Sequence, residues 1–507
     1  MSSSHPELAW RQASPGLWQR SVDEVEEFYS ALPLLYEASG LMFFAITGHI
    51  SLSIPVPGGV PISEAGAIVD RALEKAWLAL RYDHPTIASQ STQDSSTGKW
   101  VKSYHQIDAV ADQKKWLETT FVLVASDQTG AEWANSNPPA PKLPTLFVLK
   151  PSSAKNGVIR RDVVLRSPHD IIDGIGTLTL LNNYMTHASL AYQDGDSFQL
   201  PVFDGSEAAN LSPPYRIAAN VPPTLTDAQN ERLATMAAQK AAAMNPEGIE
   251  IMDLPYRRGA AVPHHHQRVS LTLTQEQTSR LITACKAADA TVTHAFHAAI
   301  ALVMRDIQPQ RGPQARRVRY VNYILRNERA SCQAPYNSPK HPASLYHSLP
   351  GQSLVVDMDL PASGDDAVRN DEFLPIVQTM KDFYHGVRND EEHYALAPTI
   401  WAAGTPPIPA SPRPLPVPPP KEHPSVSISS MGRVDSIVSP QTGSFEVHDP
   451  WVTGEELGNG LGLFLGTFRG QLCLSAAYND AWHTEGDVLD FLKRCEDVVS
   501  RGFGIDL

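Results

Sequence analysis

A histidine followed four positions later by an aspartate and then a glycine, His169-x-x-x-Asp173-Gly174, is the pattern best suited to chemistry in this chain. An imidazole has an ordinary pKa of about 6.5, so it can accept a proton from an alcohol or amine near neutral pH. With 18 histidines and 55 acidic residues, chance gives about two His-x-x-x-acid matches, and requiring the glycine leaves roughly 0.1. His483-x-x-x-Asp487 matches without the glycine, and we interpret it as a helix start.

The neighbourhood of His169 strengthens this interpretation. A strand-like run over residues 158–165 leads into it and a helical pattern over 176–190 follows, so the histidine lies at a strand end, where catalytic groups are often found. Gly174 and Gly176 permit a turn or a close approach of a ligand. Asp173 can fix the local backbone or pair with an arginine without touching substrate. The alternative is that His169 is a surface histidine in a turn.

Three further groups could take part. Ser429 and Ser430 could donate a hydrogen bond to an oxyanion, although capping of a strand end explains them equally well. The arginines at 311, 316, 317 and 319 could attract phosphates, or could simply form a solvated loop that enters a strand. Three consecutive histidines at 264–266 suggest a metal, but neighbours in an extended chain point to opposite sides, so we expect no metal site there.

Composition narrows the class of protein. The chain has 507 residues, of which 42% are hydrophobic, and a net charge of −14, which argues against nucleic-acid binding. Its four cysteines show no Cys-x-x-Cys spacing, its N-terminus shows no signal peptide and no apolar run is long enough to span a bilayer. We therefore expect a cytoplasmic protein with no membrane or nucleic-acid partner.

Helical and strand-like patterns alternate in two halves, without the regular alternation of a single doubly wound sheet. Residues 245–266, rich in proline, glycine and histidine, separate the halves, and we place the lobes at 1–250 and 251–507. A proline-rich stretch over 406–424 is predicted to be extended and free of helix. The predicted strands are 41–55, 120–125, 145–149, 158–165, 268–273, 318–325, 425–429, 460–469 and 471–478, and the predicted helices are 62–81, 176–190, 227–243, 276–287 (capped by Thr274), 292–305, 373–387 and 485–500.

The chain resembles a known superfamily, the two-lobed acyltransferases related to chloramphenicol acetyltransferase and to nonribosomal-peptide condensation domains. Their signature, His-x-x-x-Asp-Gly, is matched by His169, Asp173 and Gly174. Residues 291–299, 429–434 and 470–479 resemble second-lobe elements of the same superfamily. Overall length and the N-terminal sequence are most similar to fungal alcohol O-acetyltransferases of the trichothecene 15-O-acetyltransferase type.

The resemblance implies a mixed α/β fold of two similar lobes with an active-site channel between them. It implies that His169 is the general base and that Asp173 points away toward an arginine, for which the candidates are Arg326, Arg329 and Arg433. Gly174, Ser429, Ser430 and Gly432 are expected near the channel or the oxyanion. Acetyl-CoA would be a cosubstrate, and no permanently bound cofactor is expected.

The implied reaction is acyl, and in particular acetyl, transfer from coenzyme A to a hydroxyl of a secondary-metabolite scaffold by a monomer. Three alternatives stay open: an acyl donor on a carrier protein, a cyclase of polyketide or terpenoid intermediates, and a binding module without catalysis. Condensation domains usually carry a second histidine where this chain has Pro168, so the sequence argues against formation of a peptide bond. Residues 430–434 also differ from the Asp-Phe-Gly-Trp-Gly element of plant members.

Overall fold

The computed structural model describes residues 4–94, 96–107, 109–151, 157–309, 314–361, 370–409 and 413–507. Within these ranges helices and strands alternate in both halves, as predicted. The helices are α1 (Glu24–Leu35), α2 (Ile62–Asp83), α3 (Val110–Thr120), α4 (Gly130–Ala134), α5 (Gly174–Asp194), α6 (Tyr215–Ala218), α7 (Asp227–Ala243), α8 (Gln275–Ala287), α9 (Val292–Asp306), α10 (Asn370–Arg388), α11 (His393–Gly404) and α12 (Glu485–Phe503).

The strands vary from two to ten residues in length. They are β1 (Arg11–Ser14), β2 (Leu17–Ser21), β3 (Ile46–Pro55), β4 (Ser89–Gln93), β5 (Trp100–His105), β6 (Phe121–Ala125), β7 (Thr145–Lys150), β8 (Val158–Ser167), β9 (Glu250–Ile251), β10 (His266–Thr272), β11 (Arg316–Asn322), β12 (Arg326–Asn327), β13 (His347–Ser348), β14 (Leu354–Leu360), β15 (Val426–Arg433), β16 (Gln441–Thr442), β17 (Phe445–Gly454), β18 (Leu461–Phe468) and β19 (Gln471–Asn479).

The first lobe is built on a six-stranded sheet in the order β16-β17-β3-β8-β7-β6. The central strands β3 and β8 are antiparallel and almost entirely buried, which explains their long aliphatic and β-branched runs. Helices α2 and α5 cover one face, and their apolar residues share a core with the sheet. This packing fixes the two elements that flank residues 168–173.

The second lobe contains a four-stranded sheet in the order β10-β19-β18-β15 and a three-stranded sheet in the order β14-β11-β9. Helix α9 is buried nearly all round, and α10 and α12 pack against it to form the core of this lobe. A smaller sheet, β1-β2-β5-β4, belongs to the first half of the chain. The mixed α/β fold class inferred from the sequence is confirmed.

One strand crosses between the halves. Strand β17 lies late in the sequence, yet it pairs antiparallel with β3 and so extends the sheet of the first lobe. The lobes are therefore not simply the two halves of the sequence, since 441–454 contributes to the first sheet. The division at residue 250 stays a prediction.

Most predicted elements occur with small differences at their ends, and the predicted helix 227–243 matches α7. Thr274 caps α8 as expected, since its hydroxyl accepts from the backbone N–H of Gln277. The described part of the proline-rich stretch contains neither helix nor strand, while 410–412 lie outside the described residues. Elements that the sequence patterns did not predict include α1, α3, α11, β1, β2, β4, β5, β14 and β17.

Across the described ranges, no single helix has the length and apolar character needed to cross a membrane; α8 and α9, bent by 91° at their junction, meet those two criteria only as a pair.

Candidate active site

The segment 168–173 connects β8 to α5 and carries His169. Pro168 follows the last residue of the strand, where it cannot donate to the ladder. Ile171 and Ile172 are fully buried and anchor the segment in the core of the first lobe. Asp173 then caps α5, because its side chain accepts a hydrogen bond from the N–H of Gly176 at 2.7 Å. The segment is held at both ends, so His169 has a fixed position.

The carboxylate of Asp173 faces the second half of the chain. Its Oδ2 accepts from Arg329 Nη1 at 2.9 Å and from the N–H of Tyr346 at 3.0 Å, and the Nδ1 of His347 lies 3.7 Å away. Burial alone would raise the pKa of Asp173, but Arg329 and then His347 hold it well below its ordinary value. Asp173 is therefore an ionised link between the lobes.

The structure explains why residue 176, at the start of α5, is a glycine. A β-carbon at this position would lie 2.2 Å from the carbonyl oxygen of Pro342 and 3.0 Å from Arg329 Nη2. Only glycine lets the segment carrying Arg329 approach α5 this closely. At Gly174 a β-carbon would make only ordinary contacts, about 3.5 Å from Met431, so this glycine leaves space at the cavity wall.

The structure separates the three candidate arginines. Arg329 is the one that reaches Asp173. Arg326 also lines the cavity, but it pairs with Glu328 at 3.2 Å and donates to two backbone carbonyls. Arg433 is exposed at the end of β15 and is not part of the cavity wall.

Aromatic rings enclose His169. Its imidazole stacks on the ring of Tyr29, with centroids 3.8 Å apart and planes inclined by 17°, and Phe44 presents an edge at 6.4 Å. Burial lowers the pKa of His169 to about 3, and the nearby His347 adds to this effect. The imidazole is therefore uncharged at neutral pH and can accept a proton.

The surroundings of the two ring nitrogens indicate which of them a substrate can reach. Backbone groups of His169 itself and of Ile172 partly oppose the effect of burial on the pKa of the ring. Nδ1 is buried and has no hydrogen-bond partner among the described residues. No described residue makes a hydrogen bond to Nε2, and the ring lines the cavity. The lone pair available to a substrate is therefore that of Nε2.

The cavity in front of His169 has a volume of about 210 Å³ and is formed by both halves of the chain. Its wall is mainly apolar and aromatic, with Phe28 and Tyr29 from α1, Phe44 before β3, and Trp401 from α11. Ser427, Ser429 and Glu456 supply polar groups. A wall of this kind suits an apolar molecule that bears a small number of polar groups.

Ser429 and Ser430 both line this cavity, as does Gly174. The hydroxyl of Ser430 lies 2.9 Å from that of Thr293. Gly432 is not part of the wall. It has a φ of +64° next to a bulge in the pairing of β15 with β18, so it serves the backbone of the strand. An oxyanion role for the serines stays a prediction.

A second cavity of about 270 Å³ adjoins the first, and Met431, Val452 and Phe464 line both. Arg268 and Arg469 are among its lining residues. The guanidinium of Arg268 lies 4.4 Å from the ring centre of Trp451. Arg469 pairs with Glu446 at 3.0 Å, whereas no ion pair of Arg268 occurs among the described residues.

The basic run suggested by the sequence does not line either cavity. Arg316 pairs with Glu250, Arg317 lies 3.8 Å from Asp359, and Arg319 binds Asp357 through two hydrogen bonds. These guanidinium groups are neutralised by neighbouring carboxylates, so the interpretation as a phosphate site is not supported. Arg311 lies outside the described residues.

The other histidine patterns are structural. His266 is buried, and its Nδ1 accepts from the N–H of Glu456. The backbone N–H groups of His264 and His265 donate to the side-chain Oδ1 atoms of Asn479 and Asp480, respectively. His483 is buried against the carbonyl of Asn459, just before α12. In the part of the chain that the structure describes, no group of three or more histidine, cysteine or acidic residues could hold a metal.

Tyr29 and His347 complete the site and were not found from the sequence. Tyr29 belongs to α1, whose apolar residues do recur at helical spacing and could have indicated a helix. Nothing in the local sequence indicates that its ring reaches His169. His347 follows Tyr346 in a two-residue strand and has no motif around it.

The mixed α/β fold, with the His-x-x-x-Asp-Gly segment at a cavity lined by both halves of the chain, is similar to the folds of solved acyltransferases and condensation domains. No family model matches the sequence. The acetyltransferase pigO of Monascus ruber is 24% identical over 98% of this chain and 99% of its own length. The O-acetyltransferase pigM of the same organism is 24% identical over 99% of this chain and 88% of its own length.

Solved structures agree with the fold. The trichothecene 15-O-acetyltransferase TRI3 from Fusarium sporotrichioides superposes with a TM-score of 0.78 at 16% identity, covering 99% of this chain and all of that chain. The first condensation domain of the calcium-dependent antibiotic synthetase gives a TM-score of 0.59 at 13% identity, with 96% of both chains covered. The resemblance inferred from the sequence is confirmed.

Proposed function

We propose that this protein is an O-acyltransferase that transfers an acetyl group from acetyl-CoA to a hydroxyl of a secondary-metabolite scaffold. The observation that carries the proposal is the uncharged imidazole of His169, whose Nε2 is free at the wall of an apolar cavity. The two acetyltransferases from Monascus ruber, similar over almost the whole chain, support the same reaction class.

The chemistry follows from the geometry. Nε2 of His169 takes the proton of the acceptor hydroxyl, and the oxygen attacks the carbonyl carbon of the thioester. The tetrahedral intermediate collapses, the C–S bond breaks, and the imidazolium returns its proton to the thiolate of coenzyme A. Ser429, on the cavity wall, is our candidate donor to the oxyanion. No covalent acyl-enzyme is needed.

The adjoining cavity supports coenzyme A as the donor. It shares Met431, Val452 and Phe464 with the cavity of His169, so a molecule bound there lies next to the base. Arg268 offers a positive charge to an anionic group, since no carboxylate pairs with it among the described residues. Location in the cytoplasm and a monomeric state stay predictions from the sequence.

A thiol-release assay tests the proposal. The purified protein is incubated with acetyl-CoA and a panel of apolar hydroxylated metabolites, and free coenzyme A is measured with a thiol reagent. Loss of the general base in His169→Ala should reduce turnover by about 10²–10⁴-fold. The matched control is His265→Ala, because His265 is exposed and lies outside both cavities. Circular dichroism checks that both variants are folded.

The outcomes distinguish the alternatives. Full activity in His169→Ala contradicts the mechanism. If turnover requires an acyl group bound to a carrier protein, the donor is that carrier protein and not coenzyme A. Turnover without any acyl donor indicates a cyclase. Binding of the metabolites without turnover under all donors indicates a binding module.

A further inference from the structure

We infer that Tyr29 is a positioning residue for His169, and that His347 holds Tyr29 in place by joining its hydroxyl to Asp173. The inference rests on the proposed function, because it concerns how the base of that reaction is oriented. It assigns a role to α1 and β13, whose residues lie far from the His-x-x-x-Asp-Gly motif in sequence.

The first contact in this arrangement is the stacking of Tyr29 on His169. The centroid distance of 3.8 Å and the inclination of 17° make the two rings nearly parallel and in van der Waals contact. Phe44 meets the imidazole edge-on, at an interplanar angle of 83°. The stacked ring of Tyr29 hinders rotation of the imidazole about its Cβ–Cγ bond and so favours one direction for Nε2.

The second contact is the hydrogen bond between the hydroxyl of Tyr29 and Nε2 of His347, at 2.9 Å. Burial raises the pKa of Tyr29 well above its ordinary value, so the hydroxyl keeps its proton and donates. Nε2 of His347 is then the acceptor and its proton is on Nδ1. That Nδ1 is buried without a hydrogen-bond partner among the described residues and lies 3.7 Å from Oδ2 of Asp173, so the two groups interact through charge and not through a hydrogen bond.

Trp401 contacts both Tyr29 and His347 and helps to hold His347 in place. Its indole meets the imidazole edge-on at 5.4 Å, and its Nε1 donates to the backbone carbonyl of His347 at 3.3 Å. Both nitrogens of His347 face protein groups, so this histidine does not serve as a second base. Its place is between Asp173 and Tyr29.

These contacts form a path of four side chains, from Arg329 through Asp173 and His347 to Tyr29. Asp173 makes no hydrogen bond to His169, yet its charge fixes the tautomer of His347 and thereby the donor role of the Tyr29 hydroxyl. The aspartate of the motif therefore acts on the base through a tyrosine from another helix, in addition to capping α5.

Two variants of Tyr29 separate the ring from the hydroxyl. Tyr29→Phe keeps the stacked ring and should lower kcat by about 3–10-fold, while Tyr29→Leu removes the stack and should lower kcat by about 10²-fold, with the KM for acetyl-CoA unchanged in both. Tyr384→Phe is the matched control, because its hydroxyl also bonds a buried histidine, His297, at 3.1 Å but lies outside the catalytic cavity.

The pH profile gives a readout that general stability does not move. Removal of the Tyr29 ring admits water to His169, so the acid limb of kcat/KM in Tyr29→Leu should shift up toward about 6.5. If His347 acts through the Tyr29 hydroxyl, His347→Asn should cost little extra activity in the Tyr29→Phe background, although it lowers activity in the wild-type background.

Wild-type kcat and an unshifted pH profile in Tyr29→Leu, with His169→Ala inactive, would overturn the inference and leave the proposed function intact. Activity in His169→Ala would overturn the proposed function instead. Should Tyr29→Leu fail to fold, Tyr29→Phe and His347→Asn decide: additive losses in kcat contradict the path and non-additive losses support it.

Discussion

At the scale of single residues, Asp173 connects the His-x-x-x-Asp-Gly motif to several other segments of the chain. Its two carboxylate oxygens accept hydrogen bonds from the N–H of Gly176, the N–H of Tyr346 and the guanidinium of Arg329. A buried carboxylate with this many donors is stable as an anion, and the buried guanidinium depends on it for neutralisation. The acidic residue of the motif thus contributes to stability as well as to the orientation of the base.

Asp173→Asn should lower the free energy of unfolding by about 3 kcal/mol, because it leaves Arg329, whose side chain is only 14% exposed, without a counter-charge. The matched change is Asp490→Asn, which removes an ion pair of similar length, Asp490 to Arg494 at 2.7 Å, from an exposed face of α12. That pair should contribute no more than about 0.5 kcal/mol. Urea unfolding measures both, and equal effects of the two changes would show that burial of the Asp173 pair is unimportant.

At the scale of elements, a buried charge cluster attaches α1 to the segment of His169. Glu26 of α1 accepts from Arg20 and from Lys102 Nζ, and Lys102 also donates to the carbonyl of Asp170 at 2.6 Å. Burial alone would raise the pKa of Glu26, but Arg20 and Lys102 lower it to about 2. The small sheet that carries Lys102 therefore helps to set the distance between α1 and His169.

Lys102→Met should reduce both stability and kcat, since Asp170 loses its donor and Glu26 loses one of its two cations. The expected loss of stability is about 3 kcal/mol. Lys75→Met is the control, because Lys75 Nζ also donates to a backbone carbonyl, but that carbonyl belongs to Gly195 (2.7 Å), after the C-terminal end of α5, and not to the segment of His169. Unfolding curves and kcat measure the two effects, and an unchanged kcat in folded Lys102→Met would contradict the proposed link.

At the scale of the whole molecule, several histidines are buried in the uncharged form. Burial lowers the pKa of these groups to about 3 or 4, against about 6.5 in an unfolded chain. They are His84, His169, His266, His294 and His297. Below about pH 6.5 the unfolded chain binds protons that the folded chain excludes, so stability falls as the pH falls.

The midpoint of urea unfolding should therefore decrease between pH 7 and pH 5. Each such histidine contributes up to about 1.4 kcal/mol per pH unit. Asp23 has the opposite effect on stability, about equal to that of one histidine, because burial raises its pKa to about 7 and the folded chain therefore binds a proton there. His297→Gln should make the free energy of unfolding less dependent on pH by the contribution of one proton. His265→Gln, at an exposed histidine, should leave this pH dependence unchanged. A flat profile in the wild-type protein would contradict this prediction.

The sequence was sufficient for the parts of the site that are local. Residues 169–174 form one connection between a strand and a helix, so their spacing and glycine pattern can be recognised in the chain itself. The partner of Asp173 could not be chosen, because Arg326 and Arg329 both line the cavity and only the tertiary structure decides which reaches the carboxylate.

Tyr29 and His347 were missed for a related reason. They stand 318 positions apart and meet only when α1 and β13 pack beside the His169 segment. Strand β17 was missed as well, because its pairing with β3 joins segments from opposite halves of the chain. Contacts of this kind depend on topology, which residue periodicity does not report.

The position of β17 also determines when the first lobe can be completed during synthesis. Strand β3 is made early, but its partner is added only after about 390 further residues, which takes about 20–80 s at 5–20 residues per second. Throughout that interval one edge of the nascent sheet has no partner and is open to pairing with other chains. A ribosome-bound fragment that ends before Phe445 should therefore depend on chaperones, and the cavity can form only after Val452 and Phe464 of its wall have been made.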